Sequence, residues 1–91
     1  MDYQKIILLG NTTVDVEVKQ AESGTEYARF SVGVSKGKDE TIFFPVTVFG
    51  KNAETAGKIL AKGDRVLVEG RLDVNQESGK FSVIANTFRK T

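Results

Sequence analysis

The 91-residue sequence predicts an all-β domain with one short helix, and three observations support this fold class. Apolar and polar residues alternate in several segments, as in half-buried strands. Glycine-containing turn sequences such as ESGTE, KGKDE and NQESGK separate three pairs of neighbouring elements. Only one stretch has the apolar spacing of a helix. We expect one domain over residues 1–91, and the predicted strands are 4–19, 26–35, 41–50, 64–74 and 80–89.

The first predicted strand, 4–19, is unusually long. Gly10 near its middle should let the strand curl and pair on both sides. Positions 6–9 are apolar in both phases of the alternation, which is more than one core-facing side requires. We therefore expect self-association, at least to a dimer.

The second and third predicted strands each have a core-facing row. These rows are Ala28, Phe30, Val32 and Val34, and then Ile42, Phe44, Val46 and Val48. The opposite phase of the second strand carries Tyr27 and Arg29, whereas that of the third carries Phe43 and Phe49. Aromatic rings in the phase that should face solvent need a reason, and ligand contact supplies one.

Residues 52–63 form the predicted helix, with Asn52 as N-cap and Gly63 just beyond the C-terminus. Its apolar stripe would be Ala53, Ala56, Ile59 and Leu60.

The fourth predicted strand has the core row Val66, Val68, Leu72 and Val74, interrupted by Gly70. A glycine at that position predicts a bulge or sharp bend. Five strands with a helix between the third and fourth have the element order of an OB-fold, a five-stranded Greek-key barrel.

The charge balance does not favour binding by electrostatics alone, because thirteen Lys and Arg face twelve Asp and Glu. The chain has no histidine or cysteine, so the usual general base, thiol nucleophile and common metal ligands are missing. Asp15 and Glu17, which would lie on one face of a strand, are the only residues that suggest a metal-dependent nuclease. We expect no catalysis and no cofactor. With no membrane-length apolar run and no signal peptide, we expect a cytoplasmic protein.

Four stretches occur in order with compatible spacing: KIILLGN (5–11), SGTEYARFSVGVS (23–35), TIFFPVTVFGKNAE (41–54) and LAKGDRVLVEGRL (60–72). Together they resemble the bacterial-type single-stranded DNA-binding protein family, from Lys5 to Phe88. The resemblance implies an OB-fold that binds single-stranded DNA with little sequence preference, forms dimers or tetramers, and acts at the nucleoid in replication, recombination or repair.

The resemblance also implies roles for particular residues. Phe43 and Phe49 match two of the family's base-stacking positions, and Phe81 would replace a ring in the last hairpin. The remaining expected nucleic-acid contacts are cations and one tyrosine in the outward phase or in turns: Tyr27, Arg29, Arg71, Lys36, Lys38, Lys51 and Lys80.

Departures from the family pattern leave alternatives open. The chain has no tryptophan and its two loops are short, which motivates an OB-fold module for protein interaction, or a primosomal-type accessory protein, with weak nucleic-acid binding. RNA remains an alternative ligand to DNA. The family's acidic tip, which recruits replication and repair proteins, does not follow NTFRKT in the printed sequence, so we expect a shortened relative or a truncated chain.

Overall fold

The computed structural model describes residues 4–91, which form six strands and one helix. The strands are β1 (Ile6–Thr12), β2 (Glu17–Gln20), β3 (Glu26–Ser35), β4 (Thr41–Phe49), β5 (Arg65–Val74) and β6 (Phe81–Lys90), and the helix is α1 (Lys51–Ile59).

The first predicted strand is divided in two, so the prediction of a continuous strand over 4–19 is wrong. β1 pairs with β5 along Ile6–Asn11 and then with β3 at Asn11 and Thr12. β2 pairs only with β3, near its other end. Residues 13–16 lie between the two strands, where the chain passes from one end of β3 to the other. The predicted pairing of the first strand on both sides is confirmed.

Gly10 lies where β1 crosses β3. A Cβ atom at this position would overlap the carbonyl oxygen of Gly33. The close approach of the two backbones therefore requires glycine here.

Five of the strands close into a barrel in the order β1-β5-β6-β4-β3, with the β1–β3 pairing completing the circle. β2 lies outside the circle as an added edge strand, and β4 pairs with β6 in parallel. The helix lies between β4 and β5, which are the third and fourth predicted strands. The predicted Greek-key OB-fold with one helix is thereby confirmed.

The bulge predicted at Gly70 is also present. The β5–β6 register shifts there, since Glu69 pairs with Thr87 but Gly70 pairs with Ala85. A Cβ at Gly70 would overlap the carbonyl oxygen of Ile84. The bulge bends β5 so that its two halves can follow the curvature of the barrel.

The core fills the barrel with small and medium side chains from the inward phases of the strands and from α1. Its buried apolar members are Leu8, Ala28, Phe30, Val32, Val46, Val48, Ala53, Ala56, Leu60, Val66, Val68, Val83 and Ala85. Ile42, Ile59 and Val74 were expected in core rows but are exposed. Ile42 and Val74 lie near hairpin ends that extend past the barrel, and Ile59 is the last residue of α1.

Both helix caps differ from the prediction. α1 begins at Lys51 with Gly50 as N-cap, and Asn52 instead donates from its Nδ2 to the Asn86 carbonyl at 3.4 Å. The helix ends at Ile59 because Leu60 turns into extended backbone and inserts into the core. Gly63 lies in the turn beyond. No helix among residues 4–91 is long and apolar enough to cross a membrane.

Asp64 organises the turn that follows α1. Its Oδ2 accepts from the Ala61 backbone N–H at 2.8 Å and pairs with Lys90 Nζ at 3.3 Å. The Ala61 hydrogen bond, with a further contribution from Lys90, lowers the pKa of Asp64 below its ordinary value of 3.8. The buried Thr12 hydroxyl donates to the Ala61 carbonyl at 2.6 Å, so the turn is bonded to β1 as well.

Candidate nucleic-acid interface

An aromatic pair lies on the outer surface where β3 and β4 run side by side. Tyr27 and Phe49 are cross-strand partners, with ring centroids 6.3 Å apart and planes tilted by 45°. Phe49 is 49% exposed and Tyr27 is partly buried. The two rings therefore present an accessible apolar surface of the kind on which an unpaired base can stack.

A row of four cross-strand neighbours runs next to this pair, with an arginine at each end. The strand registers place Arg71 opposite Ile84, Ile84 beside Thr47, and Thr47 opposite Arg29. Both arginines are exposed, and within residues 4–91 neither forms an ion pair. Pairing with Glu69 or Asp73, the ordinary explanation for such arginines, is therefore not observed in this part of the chain.

A shallow groove of about 360 Å³ joins the aromatic pair to this row. Its lining residues are Ala21, Tyr27, Arg29, Thr47, Phe49, Asp73, Ser82 and Ile84. Three of these were predicted from the sequence as contacts, and the other five were not: Ala21, Thr47, Asp73, Ser82 and Ile84. Alternation alone could have added Asp73, since it shares the outward phase with Arg71, two positions earlier.

Phe43 lies on the same strand as Phe49 but at its opposite end. Six residues of β-strand separate the two, a distance of about 20 Å. Phe43 is 57% exposed and pairs across the sheet with Gly33, and its ring edge lies over that glycine. The structure therefore brings Tyr27, Arg29 and Phe49 together, with Phe43 as a separate exposed ring.

The predicted lysine contacts are all exposed but lie in different places. Lys36 and Lys38 are in the β3–β4 turn, Lys51 is the first residue of α1, and Lys80 precedes β6. None of them lines the groove. Lys36 and Lys38 lie at the end of the β3–β4 hairpin that carries Phe43, whereas Lys51 follows Phe49 by two residues.

Phe81 occupies a different face from the other candidate rings. It belongs to the inward phase of β6, together with the buried Val83 and Ala85. Its ring meets Phe44 edge to face, with centroids 6.3 Å apart and planes at 70°. Phe81 is still 42% exposed because it lies beside the β5–β6 hairpin.

The two carboxylates considered for a metal site have other partners. Asp15 Oδ1 accepts from the Lys62 backbone N–H at 3.1 Å, and Glu17 lies 3.7 Å from Lys19 Nζ. No group of three potential metal-ligating side chains occurs in the described part of the chain, residues 4–91.

Sequence comparison finds relatives that are named single-stranded DNA-binding proteins. The chain is 34% identical to the single-stranded DNA-binding protein of Wolinella succinogenes, over 96% of this chain and 63% of that protein. It is 38% identical to the protein of the same name from Helicobacter hepaticus, over 85% of this chain and 52% of the relative. A mitochondrial relative, rim1 of Schizosaccharomyces pombe, is 44% identical over 75% of this chain and 47% of its own length.

Solved structures give the same result. The wild-type single-stranded DNA binding protein from Thermus aquaticus superposes with a TM-score of 0.84 at 30% identity, covering 98% of this chain and 40% of that one. The chain thus spans about half to two thirds of the length of the first curated relatives. The sequence pattern of the single-strand binding protein family matches residues 3–88, and the chain belongs to that family.

Proposed function

We propose that this chain binds single-stranded DNA without strong sequence selection, in replication, recombination or repair. The observation that carries the proposal is the half-exposed Tyr27–Phe49 ring pair beside Arg29, on an outward sheet surface. Bases stack on the two rings, and the guanidinium groups of Arg29 and Arg71 contact phosphates. Phe43 offers a second stacking surface farther along the strand, and Lys36, Lys38, Lys51 and Lys80 add peripheral phosphate contacts.

The physical chemistry of the face suits such a ligand. Every base has a π-face, so stacking tolerates any sequence and contributes about 1–3 kcal/mol per base. Each phosphate contact releases counterions, so affinity should fall as salt rises. With a net charge of only +1, the chain needs stacking in addition to phosphate contacts to bind a polyanion.

The test is a titration of fluorescently labelled oligothymidine followed by anisotropy across a series of salt concentrations. We expect sub-micromolar affinity at low salt that weakens steadily with added salt. An oligouridine of equal length, run in parallel, distinguishes DNA from RNA. No salt-sensitive change in anisotropy at micromolar protein would contradict the proposal.

We also propose that the protein is a homodimer or homotetramer. Ile7 and Leu9 point outward from β1 and are 59% and 46% exposed, and Leu67 of β5 is the cross-strand partner of Leu9. This outward apolar surface of β1 and β5 is costly to leave in water, and a second copy of the chain would cover it.

A further inference from the structure

Asp73 is the one acidic residue among those that line the groove. It pairs across the sheet with Ser82 and is exposed, in the same outward phase as Arg71. Within residues 4–91 its carboxylate has neither an ion-pair nor a hydrogen-bond partner. A negative charge in a groove suited to a polyanion therefore needs its own explanation.

A carboxylate cannot assist with phosphates, because like charges repel. It only accepts hydrogen bonds, so the ligand group that suits it is an N–H donor. The groove floor between the two arginines consists of Ile84 and Thr47. Asp73 lies beside this floor, because it is two residues beyond Arg71, the cross-strand partner of Ile84, on the same side of β5. A base lying flat on that floor would have its polar edge within the reach of Asp73 and Ser82.

Cytosine and thymine differ at the ring position that such an edge presents. Cytosine has the exocyclic N4 amine, a donor that Asp or Glu accepts from, whereas thymine has the O4 carbonyl there, an acceptor that a carboxylate repels. The one donor of thymine, N3–H, lies between the O4 and O2 carbonyls, so a carboxylate that accepts from it is next to two acceptors. The two pyrimidines are otherwise close in size and stack similarly. We propose that Asp73 makes this groove favour cytosine over thymine, an inference that rests on the proposed binding of single-stranded DNA.

The experiment compares oligodeoxycytidine and oligothymidine of equal length, titrated by anisotropy at one salt concentration, for the wild type and for Asp73→Asn. Wild type should prefer oligodeoxycytidine by about twofold to tenfold, the contribution of a single net hydrogen bond. The carboxamide that Asp73→Asn introduces can accept from N4 or donate to O4, so the variant should lose the preference, chiefly by binding thymine more tightly. Asp73→Ala should lose it as well.

Glu77→Gln is the matched control, since it makes the same change in net charge at an exposed hairpin position outside the groove. It should leave the ratio of the two affinities unchanged. If Asp73→Asn strengthens both oligonucleotides equally, or if wild type shows no preference, the inference about Asp73 is overturned while DNA binding stands. If neither oligonucleotide binds wild type, the proposed function itself fails.

Discussion

Phe49 and Phe43 are exposed to a similar degree but have different surroundings. Phe49 has the Tyr27 ring as a neighbour, so a base can contact two aromatic groups there. Phe43 lies over Gly33, which has no side chain to compete for the ring. We therefore expect Phe49 to belong to a composite stacking surface and Phe43 to act by itself.

Replacing either ring by alanine should weaken binding of oligothymidine by about 1–2 kcal/mol, near the lower part of the range for base stacking because phenylalanine is smaller than tryptophan. Anisotropy titrations of Phe43→Ala and Phe49→Ala measure this. Phe81→Ala is the comparison, since its ring lies in the inward phase against Phe44. An equal loss in Phe81→Ala would argue against the outward surface of β3 and β4 as the principal contact.

The side of the sheet to which a side chain points could be predicted from the sequence wherever apolar and polar residues alternate regularly along a strand. Once β3 and β4 are recognised, the two-residue period alone places Tyr27, Arg29 and Phe49 on one side. Which residues become neighbours across strands could not be predicted, because that depends on register. The Asp73–Ser82 pair is set by the β5–β6 register beyond the bulge, which sequence alternation does not encode.

At the scale of elements, β5 depends on the absence of a side chain at Gly70. Gly70→Ala should lower the free energy of unfolding by about 1–3 kcal/mol, because the new methyl group would meet the backbone of Ile84, which cannot move aside as a side chain can. Urea denaturation measures the change. Arg71→Ala, the next residue and exposed, should stay within about 0.5 kcal/mol of wild type. Equal stability of Gly70→Ala and wild type would show that β5 accommodates the bend in another way.

The turn between α1 and β5 should give the fold a pH-dependent component through Asp64. Its folded-state pKa is lowered, so its ionised form stabilises the native state above about pH 3.8, and this contribution is lost as pH falls through the folded-state pKa. Asp64→Asn should thus be less stable than wild type at neutral pH, and the difference should shrink in acid. Lys90→Met should reproduce part of the loss by removing the 3.3 Å ion pair. A difference between wild type and Asp64→Asn that does not vary with pH would contradict this.

The helix caps show why local sequence was insufficient for this element. Asn52 is a good N-cap residue and Gly63 a good C-terminal residue by intrinsic preference. Hydrogen bonds to residues outside the helix fix its two ends instead. The Gly50 N–H donates to the Glu26 carbonyl, and the Ala61 N–H donates to the Asp64 carboxylate. Because both partners lie outside residues 52–63, the sequence of that segment alone could not predict where the helix begins and ends.

For the whole molecule, self-association is the property most open to direct measurement. Light scattering should return at least a dimer, and Leu9→Glu should shift the distribution toward the 10.0 kDa monomer by placing a charge in the outward apolar surface of β1 and β5. Val14→Glu, at another exposed apolar position, is the control. A monomer at all working concentrations in the wild type would refute the proposal.

The overall architecture was predictable because turn signals divided the chain into elements of the right kind and order. The division of the first predicted strand into β1 and β2 was not predictable, since the alternation of valines with polar residues continues through positions 14–19 and only the path around the barrel separates the two strands.

That path has a consequence for how the protein is made. The chain emerges from the ribosome with β1 first, yet most partners of β1 are in β5, up to the pairing of Ile6 with Gly70. The β3–β4 hairpin needs only nearby residues and can form early, whereas the circle of strands stays open until the last third of the chain has been synthesised. Until then the valines of the barrel interior stay exposed to water, so the incomplete polypeptide should be more prone to aggregation than the finished domain.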